Sequence, residues 1–159
     1  MIYLSDLLRS NTVYLDINCS NRVDVLHWIS QYFSPIVNIK SETIYKCLQD
    51  REALGSTALG QGVAIPHGRL RGLSTPHVVF LKTAQPIEFD APDGLEVNQF
   101  FVLLVPEKAT DDHLEILSQI AQIFTSSHLR TLLANSHDVA EVLDQFRSHL
   151  LTISPTRYH

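Results

Sequence analysis

His67 stands between Pro66 and Gly68, with Arg69 following directly and Arg51 opening the same glycine-rich stretch, residues 51–69. This short segment holds Gly55, Gly60, Gly62 and Gly68 out of only 6 glycines in the chain. An imidazole with its ordinary pKa of about 6.5 is largely uncharged at neutral pH and can act as a nucleophile. Backbone without Cβ atoms lets a bulky anion approach main-chain N–H groups, and a guanidinium offers a fork of donors suited to a phosphate edge. The combination describes a nucleophile beside an anion site with charge-neutralising groups at both ends. Pro66 fixes its own φ and drives Ile65 towards an extended conformation, while Gly68 tolerates angles closed to other residues. His67 is therefore expected on a sharp turn at the end of the apolar run Val63–Ile65. A histidine in a turn can also cap a strand or bond the backbone, and chemistry alone leaves both readings open.

Further blocks follow in order: Pro86-Ile87-Glu88-Phe89-Asp90-Ala91, then Phe101-Val102-Leu103-Leu104-Val105-Pro106-Glu107, then His113-Leu114-Glu115-Ile116-Leu117. With the segment from Arg51 to Arg69, they resemble the enzyme IIA components of bacterial sugar phosphotransferase systems, fructose/mannitol class. Pro66-His67-Gly68-Arg69 and Phe89-Asp90-Ala91 are most similar to the stand-alone nitrogen-regulatory branch of that class. The resemblance implies an α/β fold of three α/β/α layers around a small mixed β-sheet. It implies that His67 receives a phosphoryl group from an upstream histidine phosphocarrier protein, and that regulatory or transport proteins bind according to phosphorylation state. Two alternatives stand beside it. One is a sugar-specific enzyme IIA that passes phosphate to a IIB component. The other is a binding module that has kept the fold and lost phosphotransfer, against which the intact set Arg51, His67 and His113 argues. No metal or cofactor is called for, since donor and acceptor are both imidazoles and positioned N–H groups with arginine can stabilise the transferring group.

His113 falls in the first turn of an expected helix, where the macrodipole favours a nearby anion. By itself it reads as an exposed polar residue at a helix start; the resemblance makes it a partner that bonds phosphate or orients His67. Arg51, in a last helical turn, complements the dipole as any cation there would, and the resemblance adds phosphate stabilisation. The phosphate-loop candidates are Ser56, Thr57, Gly62, Gly68 and Arg69. Ser and Thr beside Gly are also plain turn residues, and Arg69 with Arg71 would equally attract an acidic partner surface. Relatives commonly carry glycine where Ala58 stands, isoleucine at Leu59 and asparagine at Gln61; alanine at 58 disfavours the positive φ a glycine would allow.

The remaining chain must position these groups. With 159 residues, 45% hydrophobic and 18% charged, it fits one domain over residues 1–153, followed by a flexible tail, 154–159. The net charge of −5 and the lack of any dense Lys/Arg cluster exclude a general nucleic-acid binder. No apolar run approaches the roughly 18 residues of a membrane span, and the N-terminus lacks a basic segment ahead of an apolar one, which points to a cytoplasmic protein. Cys19 and Cys47 have neither CxxC spacing nor a histidine at ligand spacing, so both are expected as reduced thiols.

Apolar periodicity predicts a strand over Val13–Ile17, then a helix capped by Ser20 or Asn21 with Val25, Leu26, Ile29, Tyr32 and Phe33 inward and Ser34-Pro35 as its end. A second helix spans about Ser41–Ala53, with Ile44, Cys47 or Leu48, and Leu54 inward and Gly55 as its cap. Strands are predicted at Val63–Ile65, His77–Thr83 and Gln99–Val105, the last apolar without alternation and therefore covered on both faces. Between the last two strands, Ile87–Asp90 and Leu95–Val97 flank the turn-rich Ala91-Pro92-Asp93-Gly94, which reads as a small hairpin. The C-terminal third reads as helices: Asp111 or Asp112 caps one with Leu114, Leu117, Ile120, Ala121 and Phe124 inward, a short one follows near Leu129–Leu133, and Ser136 caps one with Val139, Val142, Leu143 and Phe146 inward.

Overall fold

The computed structural model describes residues 3–108 and 110–153; the tail expected at 154–159 lies outside them. Helix α1 (Leu4–Leu7) precedes β1 (Val13–Ile17), α2 (Arg22–Val37) and α3 (Ser41–Ala53). Strands β2 (Ala58–Gly60), β3 (Val63–Ala64), β4 (His67–Leu70), β5 (His77–Ile87) and β6 (Val97–Pro106) follow, then α4 (Asp111–Ile123), α5 (Ser127–Asn135) and α6 (Val139–Leu151). The strands form one mixed 6-stranded sheet in the order β1-β5-β6-β3-β2, with β4 also on β6. β1 runs parallel to β5, β5 antiparallel to β6, and β3 and β4 both parallel to β6.

β6 is the centre because its residues are apolar on both faces. Phe101, Leu103 and Val105 point into a cluster with Ile116, Ile120, Phe124 and Phe146 from α4 and α6. Phe100, Val102 and Leu104 point the other way, onto Ile29 and Phe33 of α2 and Ile44 and Leu48 of α3. The three-layer arrangement follows from this continuous apolar strand, since each fully buried Leu or Phe contributes roughly 1.5–3 kcal/mol. The same interior holds one lysine. Lys82, 3% exposed, donates to the carbonyls of Leu133 (3.0 Å) and Ser136 (2.6 Å), satisfying the end of α5 with a cation from the sheet.

Several elements differ from expectation. α2 runs through Pro35 to Val37, because a proline φ is compatible with a helix and only the last turn follows it; Asn38, at φ 56, then closes the helix by donating to the Ser34 carbonyl. The small hairpin expected around Ala91–Gly94 is the far end of the long β5–β6 hairpin: Ile87 pairs with Val97, while residues 88–96 between them lie outside the strands. Helix α4 is capped by Thr110, and α6 by Asp138, whose side chain accepts from Ala140 N–H. Leu54, expected inward, is 85% exposed, because the chain turns outward as α3 ends.

The largest correction concerns His67. It opens strand β4, opposite Leu103 of β6, instead of sitting on a sharp turn. β3 and β4 follow the same side of β6, interrupted at Pro66, which has no N–H to give the ladder yet accepts from Leu103 N–H at 3.0 Å. Gly68 accordingly is needed for space and not for its dihedral angles. It is absent from the positive-φ glycines, and a Cβ there would lie 2.6 Å from Cys47 Sγ on α3. Ala58 is likewise an ordinary strand residue, the left-handed conformation falling at Gln61 with φ 59.

A Gly68→Ala substitution should therefore lower stability by about 1–3 kcal/mol through overpacking. Cys47→Ala in the same chain should restore much of that loss. Denaturant midpoints of the two single variants and the double variant measure both effects; equal loss with and without the thiol would show that the contact is not the cause.

Candidate active site

Helix α3, strand β4, strand β6 and the start of α4 enclose an open cavity of about 470 Å³ that contains His67. α3 contributes Cys47, Asp50 and Arg51, with Leu54 as its C-cap; β4 contributes Gly68 and Arg69; α4 contributes His113, Leu114 and Leu117. β4 pairs with β6 alone among the described residues, which leaves its other edge free to line the space between the two helices. Spacing of four residues brings Cys47 and Arg51, and likewise Asp50 and Leu54, onto one face of α3.

Nδ1 of His67 lies 2.8 Å from the carbonyl oxygen of Ile65. A carbonyl only accepts, so Nδ1 carries the ring proton and Nε2 keeps its lone pair. Burial pushes the His67 pKa below that of a free imidazole; the Ile65 carbonyl opposes this shift and the positive charge of Arg51 adds to it. His113 has the opposite tautomer. The backbone N–H of Thr110 donates to His113 Nδ1 at 3.1 Å, which leaves the ring proton on Nε2. The cavity thus combines one imidazole with a free electron pair and one with a free N–H. Arg51 Nη1 donates to the Gly55 carbonyl at 2.8 Å, which anchors the guanidinium at the end of α3.

Of the residues singled out from the sequence, Arg51, His67, Gly68, Arg69 and His113 are brought together in this cavity. Ser56, Thr57 and Gly62 are not. The Ser56 hydroxyl donates to the Phe89 carbonyl at 2.6 Å and accepts from Ala58 N–H at 3.1 Å. Thr57 is 5% exposed, with its hydroxyl on the Glu52 carboxylate. Gly62, at φ 81, accepts from Asn98 and Gln99 N–H beside β6, whereas His67 pairs four residues further along that strand, roughly 13 Å away. These three shape the β2–β3 hairpin and its approach. Arg71 pairs with Glu107 at 3.4 Å on the surface. Sequence reading missed the cavity's apolar rim, Leu54 at 85% and Leu114 at 54% exposure. No signal marked it, because Leu54 and Leu114 both fit the apolar spacing of their helices and read as inward. Cys19 and Cys47 are both free thiols, and burial raises the pKa of each. Among the described residues no helix is long and apolar enough to cross a membrane.

Comparison with known proteins adds the family. Residues 6–149 match the family model described as phosphoenolpyruvate-dependent sugar phosphotransferase system, EIIA 2. The chain is 39% identical over 146 residues to a nitrogen regulatory protein of Pseudomonas aeruginosa, covering 91% of this chain and 94% of that one. The crystal structure of nitrogen regulatory protein IIA-Ntr from Neisseria meningitidis superimposes with a TM-score of 0.86 at 36% identity, over 90% of this chain and 98% of that one. The IIA mannitol protein of Escherichia coli shares the fold, with a TM-score of 0.75 at 18% identity over 87% of this chain and 98% of that one. A cavity holding one imidazole with a free lone pair beside an anchored arginine suits a phosphotransfer component, and the chain belongs to the EIIA 2 family of the phosphoenolpyruvate-dependent sugar phosphotransferase system.

Proposed function

We propose that this chain is a cytoplasmic phosphohistidine carrier and regulator of a nitrogen-type phosphotransferase system, with residues 1–153 acting as one IIA domain. The observation that carries this reading is the Nδ1–H of His67 bonded to the Ile65 carbonyl, which leaves Nε2 as the nucleophilic nitrogen in a cavity with Arg51 and His113. In the reaction, the Nε2 lone pair attacks the phosphorus carried by an upstream histidine phosphocarrier protein. The N–P bond of the donor breaks, its imidazole leaves with the electron pair, and a new Nε2–P bond forms on His67. Arg51 neutralises charge on the phosphoryl oxygens, and His113 donates its Nε2–H to one of them. A desolvated imidazole with a lowered pKa stays uncharged at neutral pH and keeps this lone pair available. The phosphorylated form gains roughly −1.5 to −2 charge beside Leu54 and Leu114, so a partner covering this face meets a different surface in each state. The similarity to nitrogen regulatory proteins supports a regulatory output over passage to a sugar-specific IIB component.

Incubation with a phosphorylated histidine carrier should place acid-labile phosphate on the wild type and none on His67→Ala. Label retained by the variant would remove His67 from the role of acceptor. Pull-downs with unmodified and phosphorylated protein should capture different regulatory or transport partners. Identical sets, together with efficient transfer to a sugar-specific IIB protein, would favour the sugar-carrier alternative.

The lowered pKa of His67 also predicts a pH dependence of folding. Between the folded value and the ordinary imidazole value of about 6.5, the unfolded chain binds more protons, so stability rises with pH across that window and the loss is complete below it. His77, whose pKa burial also lowers, acts in the same direction. His67→Asn should flatten part of the fall in unfolding midpoint below pH 6.5, leaving the His77 part; an unchanged slope would contradict the desolvation of His67.

A further inference from the structure

Glu52 is 5% exposed, neighbours Arg51 in sequence, and faces away from the cavity. A buried carboxylate is costly unless its oxygens are bonded, and both partners of Glu52 come from one residue. Thr57 N–H donates to its Oε2 at 3.1 Å, and the Thr57 hydroxyl donates to Oε1. With Gly55 N–H donating to the Glu52 carbonyl at 3.0 Å, residues 52–57 form a closed turn. The end of the turn is tied down further, the Ser56 hydroxyl donating to the Phe89 carbonyl and Ile65 N–H to the Thr57 carbonyl at 3.0 Å, but its middle is open. Leu54 is 85% exposed, and Gly55, at φ 151, has nothing within 4 Å of where a Cβ would stand. Yet the Gly55 carbonyl accepts Arg51 Nη1 at 2.8 Å.

We infer that Glu52 and Thr57 are positioning residues that set Arg51 over His67: the carboxylate closes the turn, the turn presents the Gly55 carbonyl, and that carbonyl fixes the guanidinium. This role rests on the phosphocarrier reading for its consequence but not for its geometry. Pre-ordering a long side chain removes part of the entropy lost when it grips an anion. Loss of the anchor should therefore slow phosphoryl transfer without touching the nucleophile.

The experiment uses Thr57→Val, which changes no charge, Glu52→Ala, and each in an Arg51→Ala background. NMR titration of the His67 ring gives one readout, since Arg51 is the charged neighbour from α3 that lowers its pKa. The other charged or titratable groups lining the cavity, Cys47, Asp50, Arg69 and His113, are left intact. The rate of labelling by a phosphorylated histidine carrier gives the second. Thr57→Val should move the His67 titration towards the Arg51→Ala value and slow labelling by about 10–100-fold, and neither change should appear once Arg51 is absent. Glu52→Ala should act in the same way if it folds; if it does not, Thr57→Val alone decides. A His67 titration that Thr57→Val leaves in place, or rate losses that multiply with that of Arg51→Ala, would overturn the inference. Coupled titrations in a protein that accepts no phosphoryl group would instead uphold the positioning and overturn the phosphocarrier reading.

Discussion

The register of β4 on β6 is the constraint from which the site follows. His67 lies opposite Leu103 and Gly68 opposite Leu104, so the strand buried on both faces dictates which side chain turns towards α4 and which position turns towards α3. A slip of one residue would send the imidazole to the α3 face and the glycine to the α4 face. Pro66 contributes by what it lacks. Without an N–H it cannot extend the ladder, and the break lets the Ile65 carbonyl turn to meet the imidazole of His67, two residues later.

The two histidines show how backbone groups can assign proton positions. A carbonyl at Nδ1 of His67 and an N–H at Nδ1 of His113 impose opposite tautomers on chemically identical rings. Neither assignment depends on another side chain. Both therefore persist as long as β4 remains on β6 and α4 keeps its first turn, and the nucleophile and the hydrogen-bond donor cannot exchange roles.

The sequence was most legible where periodicity and composition agree. The run Phe100–Val105 announces a strand covered on both sides, and the inward positions of α2 and α6 follow from helical spacing; in α4 the buried face is Ile116, Gln119, Ile120 and Ile123, while Leu114, expected inward, is exposed. Arg51, His67 and His113 could be singled out because the surrounding blocks are specific. Legibility failed where tertiary context reassigns a residue's use. Gly68 reads as a turn glycine but serves close packing, Ser56 and Thr57 read as anion ligands but bond Phe89 and Glu52, and Pro35 reads as a stop but is carried within the last turn of α2. Lys82 gave no signal at all, because nothing in a strand pattern marks a lysine that will cap a helix from the sheet.

The contact between Gly68 and Cys47 binds two distant positions to a shared history. The thiol donates to the Arg69 carbonyl at 3.2 Å and occupies the space a side chain at 68 would need. Neither position is free to vary by itself: bulk gained on the strand must be surrendered on the helix. Among related chains, the two should drift as a pair, and the residue at 47 should report on what the strand beside the histidine tolerates.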